Sequence, residues 1–294
     1  MKKFLMLTLA VVSAPFSFAQ DSFFPIWGEE AEARGYSLPK PYGLSLSYMD
    51  MSNPITVNSI GLTGAPLLEA IDVDANKADF SGSNITLRGD VWIFPFLNVY
   101  GILGYTRGES KAPINSVSCD SSTLSSIADK IACNAVDALG NSDLLDGATF
   151  TLDMEGGTYG IGTTIAGGVG NWFALVDMNY TYTDIKAIDG DIKTFVAAPR
   201  VGHRWQYDGG RELRLWVGAM YQDVQQYLSG DIADLIPELA GIVGDGGFEV
   251  KQSADDKWNG TAGFQYAFNR DWDILFEAGF GSRETLFFAL GRRF

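Results

Sequence analysis

From Tyr42 onward, hydrophobic and polar residues alternate with a period of two, in short runs separated by turn-forming or strongly polar stretches. A bilayer-crossing strand needs about 9–11 residues, with apolar side chains toward lipid and polar or small ones toward the lumen. Ten segments fit that template: residues 42–49, 84–93, 97–106, 159–169, 172–183, 194–205, 211–222, 258–268, 272–280 and 285–294. In the first, Tyr42, Leu44, Leu46 and Tyr48 share one face and Gly43, Ser45 and Ser47 the other. An earlier start near Phe150 for the fourth would need a bulge at Gly156–Gly157 to reset its parity. Short connections at 94–96, 170–171, 206–210 and 269–271 alternate with long ones at 50–83, 107–157, 184–193 and 223–257, and 281–284 closes the series. The pattern predicts an all-β fold, a closed antiparallel transmembrane β-barrel of about ten strands over residues 42–294, with tight periplasmic turns and extended external loops.

Aromatic residues favour the headgroup level and form two girdles. Trp92, Trp172, Trp205 and Trp272 border the short turns and Trp258 borders the opposite end, which assigns them to the girdles. Trp216 sits mid-strand on the lumen parity and is expected to pack inside.

The N-terminus reads as a secretory signal. Lys2 and Lys3 precede an apolar run from Phe4 to Ala14, and Ser17 and Ala19 occupy the positions a signal peptidase reads, so cleavage is expected after Ala19. That run is too short for the roughly 20 residues of a membrane helix. Residues 20–41 form a periplasmic lead-in or a lumen plug, with one or two helical turns around Glu29–Arg34.

The formal net charge of −15 argues against nucleic acid as a partner and against adhesion to anionic lipid through a basic face. Two cysteines, Cys119 and Cys133, lie in one polar segment of an exported chain, and one local disulfide is the simplest account of them. Its loop closure contributes on the order of 3 kcal/mol.

Within the predicted lumen the charges are Arg88, Arg200, Arg204 and Arg214 against Asp90, Asp177, Glu212, Asp273 and Glu277. Unpaired charge in so narrow an interior is costly, so a salt-bridged network filling the barrel is expected, with an ion-selecting pore as the alternative. The external segments are acidic without a regular calcium-loop spacing, which points to solvated surface and no metal site, with divalent-cation binding as the alternative. Leu124, Ile127, Ile131, Ala135 and Leu139, and likewise Ile232, Leu235, Ile236, Leu239 and Val243, recur at helical spacing in external segments. These pieces are expected to fold over the barrel mouth or to bind a partner. His203, the single histidine, falls at the periplasmic end of its strand on the outward parity. That is the wrong place for the Asp–His pair of outer-membrane proteases or for a Ser–His hydrolase, so no catalytic residues and no cofactor are expected.

The leader, the turn Phe94-Pro95-Phe96-Leu97-Asn98-Val99-Tyr100-Gly101 and the terminal strand ending in Phe294 resemble the small Gram-negative outer-membrane barrels grouped with opacity-type surface antigens and porin-like proteins. That resemblance implies a place in the outer membrane, with lipid and lipopolysaccharide around the wall and a possible extracellular ligand or host surface at the loops. It also implies that Leu286, Phe288, Leu290 and Phe294 are read by the barrel-insertion machinery. Arg292 departs from the pattern, standing where an aromatic is usual. The resulting expectation is a non-enzymatic surface barrel serving envelope integrity, adhesion or host interaction, with a narrow porin-like channel as the alternative and a hydrolase behind both.

Overall fold

The computed structural model describes residues 23–75, 77–140, 149–186, 189–231 and 246–294. The expected leader, residues 1–19, and the second helix-like stretch around Leu235 lie outside them. Among the described residues there are thirteen strands: β1 (Tyr42–Thr63), β2 (Ile71–Asp74), β3 (Lys77–Phe94), β4 (Leu97–Pro113), β5 (Ser116–Cys119), β6 (Thr149–Val169), β7 (Trp172–Ile185), β8 (Asp189–Tyr207), β9 (Arg211–Asp231), β10 (Gly247–Ala254), β11 (Trp258–Ala267), β12 (Trp272–Phe280) and β13 (Glu284–Arg293). Three α-helices join them: α1 (Gly28–Ala33), α2 (Pro66–Glu69) and α3 (Ile127–Gly140).

Ten of the strands close a ring. Each of β1, β3, β4, β6, β7, β8, β9, β11, β12 and β13 pairs antiparallel with the next, and β13 returns to β1 through Gly43↔Arg293 to Ser52↔Glu284. Closure leaves no row of unpaired backbone groups in the ring, the condition for a sheet in lipid. The outward parity carries a belt of exposed apolar side chains, among them Leu46, Leu87, Leu103, Ile161, Val217 and Leu286. Tight turns mark one end of the barrel; at Gly170 the β6–β7 turn takes φ 60°, a left-handed backbone that suits glycine.

At the other end the strands run well beyond that belt, through residues read from sequence as loops. The segments 50–63, 77–83, 107–113, 149–157, 223–231 and 247–254 are largely strand, not loop. There β10 slots between the far ends of β1 and β9, pairing Ile55 with Ala254 and Leu228 with Val250. The result is a crown standing on the ten-stranded ring.

In the crown the period of two persists while its polarity reverses. On β6, Tyr159 and Ile161 face outward in the lower wall, whereas above it Leu152 and Met154 point inward and are buried while Thr151 and Asp153 are exposed. The β4–β6 pairing runs through Gly156 and Gly157 without a register shift, so the expected bulge is not there. The parity is unchanged; what changes is the medium outside, from lipid to water. One apolar cluster fills the crown, drawn from every strand of its wall: Ile55 and Val57, Ala78 and Phe80, Ala112, Leu152 and Met154, Ile185, Ile192, Leu228, and Phe248 and Val250. Outside the wall Lys111 lies 2.5 Å from Glu109, which holds its ammonium above the ordinary lysine range.

A small subdomain sits beside the crown. The disulfide between Cys119 and Cys133 ties β5 to α3, and β5 pairs with β2. Cys133, Leu124 and Ala70 are buried together, with Leu67, Ile71 and Val136 against them. Of the apolar stripe expected to seat this segment, Leu124 is buried, but Ile127 and Ile131 on α3 are 78% and 65% accessible. Cys133 and Val136 form the packed face because the disulfide fixes the helix's rotation.

Leu228 has no accessible surface. Leu228→Ala should therefore cost about 2–5 kcal/mol, read as a lower midpoint of denaturant unfolding of the detergent-refolded protein. Reduction of Cys119–Cys133 should raise amide hydrogen exchange across residues 127–140 and leave exchange in β6–β9 unchanged.

Candidate functional site

The lumen holds a continuous cavity of about 1110 Å³, running from α1 at the short-turn end to Ile55, Phe80 and Ala254 beneath the crown. Even-numbered residues of β3, β4, β6, β8 and β9 and odd-numbered residues of β1, β7, β12 and β13 project into it, a direct result of strand pleating.

Midway along the lumen, two charged clusters bridge strands that are not neighbours in the wall. Arg200 of β8 donates from Nε to Glu277 Oε2 at 2.6 Å and from Nη2 to Oε1 at 2.7 Å, a bidentate fork to β12. Trp216 of β9 donates its indole N–H to the same Glu277 oxygen at 2.6 Å. Glu277 is therefore neutralised and largely hydrogen-bonded, which is what an interior carboxylate requires. In the second cluster Asp177 accepts from Tyr100 Oη at 2.7 Å and from Thr164 Oγ1 at 2.6 Å, while Arg88 lies 3.5 Å away and stacks on the Tyr100 ring. Tyr100 reaches Asp177 across Gly162, where a Cβ would lie 2.3 Å from the phenol ring. Glycine is needed there.

Toward the short-turn end, Asp90 accepts from Asn98 at 2.6 Å and from Arg293 at 3.2 Å, and Arg88 donates to Asn98 at 3.0 Å. Arg214 bonds Glu212 and donates to Gln265 at 3.2 Å, and Gln265 donates to Asp273 at 2.7 Å. Of the nine lumen charges read from sequence, six form ion pairs with one another, Arg88 with Asp177, Arg200 with Glu277 and Arg214 with Glu212, while Asp90 pairs with Arg293 and Asp273 is held by the amide of Gln265. Arg204 stands apart, donating at 3.3 Å to the Gly170 carbonyl in the rim turn rather than to an acid. Arg293, Asn98 and Gln265 complete the network and were not singled out from sequence. Their parity was visible, but parity does not say which polar side chains meet across a cylinder.

Trp92 also departs from its girdle assignment. It lies on the inward parity of β3 with Arg88 and Asp90 and lines the cavity. Trp172, Trp205, Trp258 and Trp272 face outward. His203 packs between Trp172 and Trp205, with ring centroids 5.0 Å and 4.4 Å away. Leu286, Phe288 and Leu290 are exposed on the outer face of β13; Phe294 N–H donates to Tyr42 carbonyl at 2.9 Å, and Arg292 stacks on Trp272 and Phe294. At the short-turn mouth, Ile26 N–H donates to Ile93 carbonyl at 2.8 Å and Trp27 packs on Phe94, which sets α1 across one side of the opening.

One buried cation carries no sequence signal. Arg283, in the β12–β13 turn beside Asn259, is 1% exposed, and its Nε and Nη2 have no hydrogen-bond partner among the described residues. Burial lowers its pKa from the ordinary value, with Asp256 acting in the opposite sense. No group of three or more acidic, histidine or cysteine side chains suited to a metal ion occurs among the described residues.

No family model matches the chain, and no curated protein is found similar to it. Among solved structures it is similar to the outer membrane protein OprG from Pseudomonas aeruginosa, at 9% identity over 88% of this chain and 99% of that one, with a TM-score of 0.42. The β domain of the Bordetella autotransporter BrkA gives 9% identity over 86% and 100%, with a TM-score of 0.39. The toluene transporter TodX from Pseudomonas putida gives 12% identity over 90% and 92%, with a TM-score of 0.29.

Proposed function

We propose that this chain is a non-conducting, non-enzymatic β-barrel of the outer membrane, whose crown faces the medium and serves envelope integrity, adhesion or host contact. The observation that carries this reading is the apolar cluster inside the crown. It draws on every strand of the crown wall, and Leu228 and Val250 within it have no accessible surface. A dry apolar plug is a barrier to hydrated ions, whose transfer into such a medium is prohibitive. The bidentate Arg200–Glu277 pair adds a transverse strut below it. The barrel then acts as a rigid stem, and the functional surface is the disulfide-tied subdomain with the outer face of the crown. A catalytic role has little support, since His203 lies on the outward parity of β8, wedged between Trp172 and Trp205.

Planar bilayers holding the refolded full chain should show no unitary currents. Reproducible single-channel steps would overturn the sealed reading in favour of a narrow porin-like channel. Glu277→Ala leaves the Arg200 guanidinium and the Trp216 N–H without their acceptor, at a cost of about 3–5 kcal/mol. The double replacement Arg200→Met with Glu277→Leu should recover most of that loss, both measured by denaturant midpoints in detergent.

A further inference from the structure

Between the charged strut and the crown plug the inner wall carries a band of hydroxyls and amides. Thr181 of β7 and Thr194 of β8 are direct cross-strand partners, and both line the cavity. Asp177 of the strut lies four residues below Thr181 along β7, and Ile192 of the plug lies two residues beyond Thr194 along β8. On one flank a chain of side-chain hydrogen bonds continues the band. Asn84 of β3 donates to Thr106 of β4 at 2.5 Å, Thr106 meets Thr158 of β6 at 2.6 Å, and Thr158 meets Thr183 of β7 at 2.8 Å. On the other flank Gln222 of β9 faces the cavity, two residues before Val224, the partner of Thr194. These strands are consecutive in the ring, from β3 round to β9.

Hydrogen-bonding capacity is left over in this band, and it is within reach. The Thr181 and Thr194 hydroxyls bond no described residue, and both side chains are half-buried against the cavity, not sealed away from it. Each hydroxyl offers one donor and two acceptor lone pairs. Formal charge is not left over at the strut, where Arg200 is paired with Glu277 and Arg88 with Asp177. The same cavity also has apolar faces. Met220 is the next inward residue below Gln222 on β9, and Phe287 lies on β13, five positions round the ring from β7, with Met49 as its cross-strand partner.

We infer that the lower lumen is a cup that binds a small neutral polyhydroxyl molecule, of the class of monosaccharides and cyclic polyols. A wall of hydroxyls both donates and accepts, which suits a guest whose own hydroxyls do both. An ion meets charges that are already paired, and a hydrocarbon strands the threonine hydroxyls without partners. The C–H faces of a sugar ring suit Met220 and Phe287. The cavity of about 1110 Å³ is slightly above the roughly 300–1,000 Å³ of small-molecule sites, so it accepts such a guest together with bridging water. Since the crown is plugged, entry is from the short-turn end, where α1 covers one side of the opening. The cup goes beyond the surface-barrel reading, and its test reads binding, not conduction, so either can fail without the other.

The test is saturation-transfer NMR on the full chain in phospholipid nanodiscs, with empty nanodiscs as the blank. Methyl glucoside, methyl galactoside and myo-inositol are the polyhydroxyl probes, and cyclohexanol is the ring with a single hydroxyl. Saturable transfer is expected to at least one of the three, at an affinity about tenfold above that of cyclohexanol, the worth of one net hydrogen bond. Thr181→Val with Thr194→Val keeps the volume and removes both hydroxyls, and it should lower that affinity about tenfold while leaving cyclohexanol unaffected. The wild-type comparison needs no variant, so it stands even if the double replacement impairs folding. No saturable transfer to any of the three, cyclohexanol bound equally well, or an unchanged affinity in the folded double variant would each overturn the assignment and leave water as the occupant of the band.

Discussion

A β-strand has two faces, and each must suit the medium it meets. In the lower wall of this barrel the outward medium is apolar and the inward medium is a polar cavity, so Ile161 and Leu103 point out while Thr164 and Asn98 point in. In the crown the outward medium is water, and the enclosed space becomes dry. The same strands then carry Leu152, Met154 and Phe80 inward and Asp153 and Lys77 outward. No register shift accompanies the reversal on β3, β4 or β6 at that level. A continuous hydrogen-bonded wall thus passes from membrane barrel to something closer to a soluble β-core, and the crossover marks where lipid gives way to water.

This reversal divides the lumen by chemistry. Below the crossover, charge is tolerated because every interior acid has a partner: Glu277 with Arg200, Asp177 with Arg88 and Tyr100, Asp90 with Arg293. The pairs join strands two or three positions apart around the ring, so they tie the wall across the lumen as well as neutralising one another. Above it, burial of the apolar cluster does the same work without charge, each fully buried aliphatic side chain contributing about 1.5–3 kcal/mol. Buried amides stand among the crown's apolar residues: Asn53 pairs with Phe80, and Gln226 with Ile192 and Gln252.

Much of the candidate site was legible from parity. Once a strand is placed, alternation decides that Arg88, Asp90, Arg200 and Trp216 face inward, and Trp92, though it borders the turn, follows the same parity into the lumen. Pairing was not legible. Arg204 has the same parity as Arg200, yet it lies at the rim and meets a carbonyl, while Arg293, close to the chain's end, reaches Asp90 because β13 closes onto β1 beside β3.

The amino-acid order alone determined that this chain makes a ring of about ten antiparallel strands, because period-two runs of membrane length tolerate no other arrangement in lipid. It also determined which residues face the lumen in the lower wall, and it named the two cysteines that pair. Only the tertiary structure decided that the apparent loops are strands, since an inverted polarity pattern looks like disorder until one knows which side is wet. It alone decided that α3 shows Ile127 and Ile131 to solvent, because a covalent tether at Cys133, not the amphipathic stripe, sets the helix's rotation. Cross-lumen partners likewise exist only once the cylinder closes and brings strands that are not neighbours within hydrogen-bonding distance.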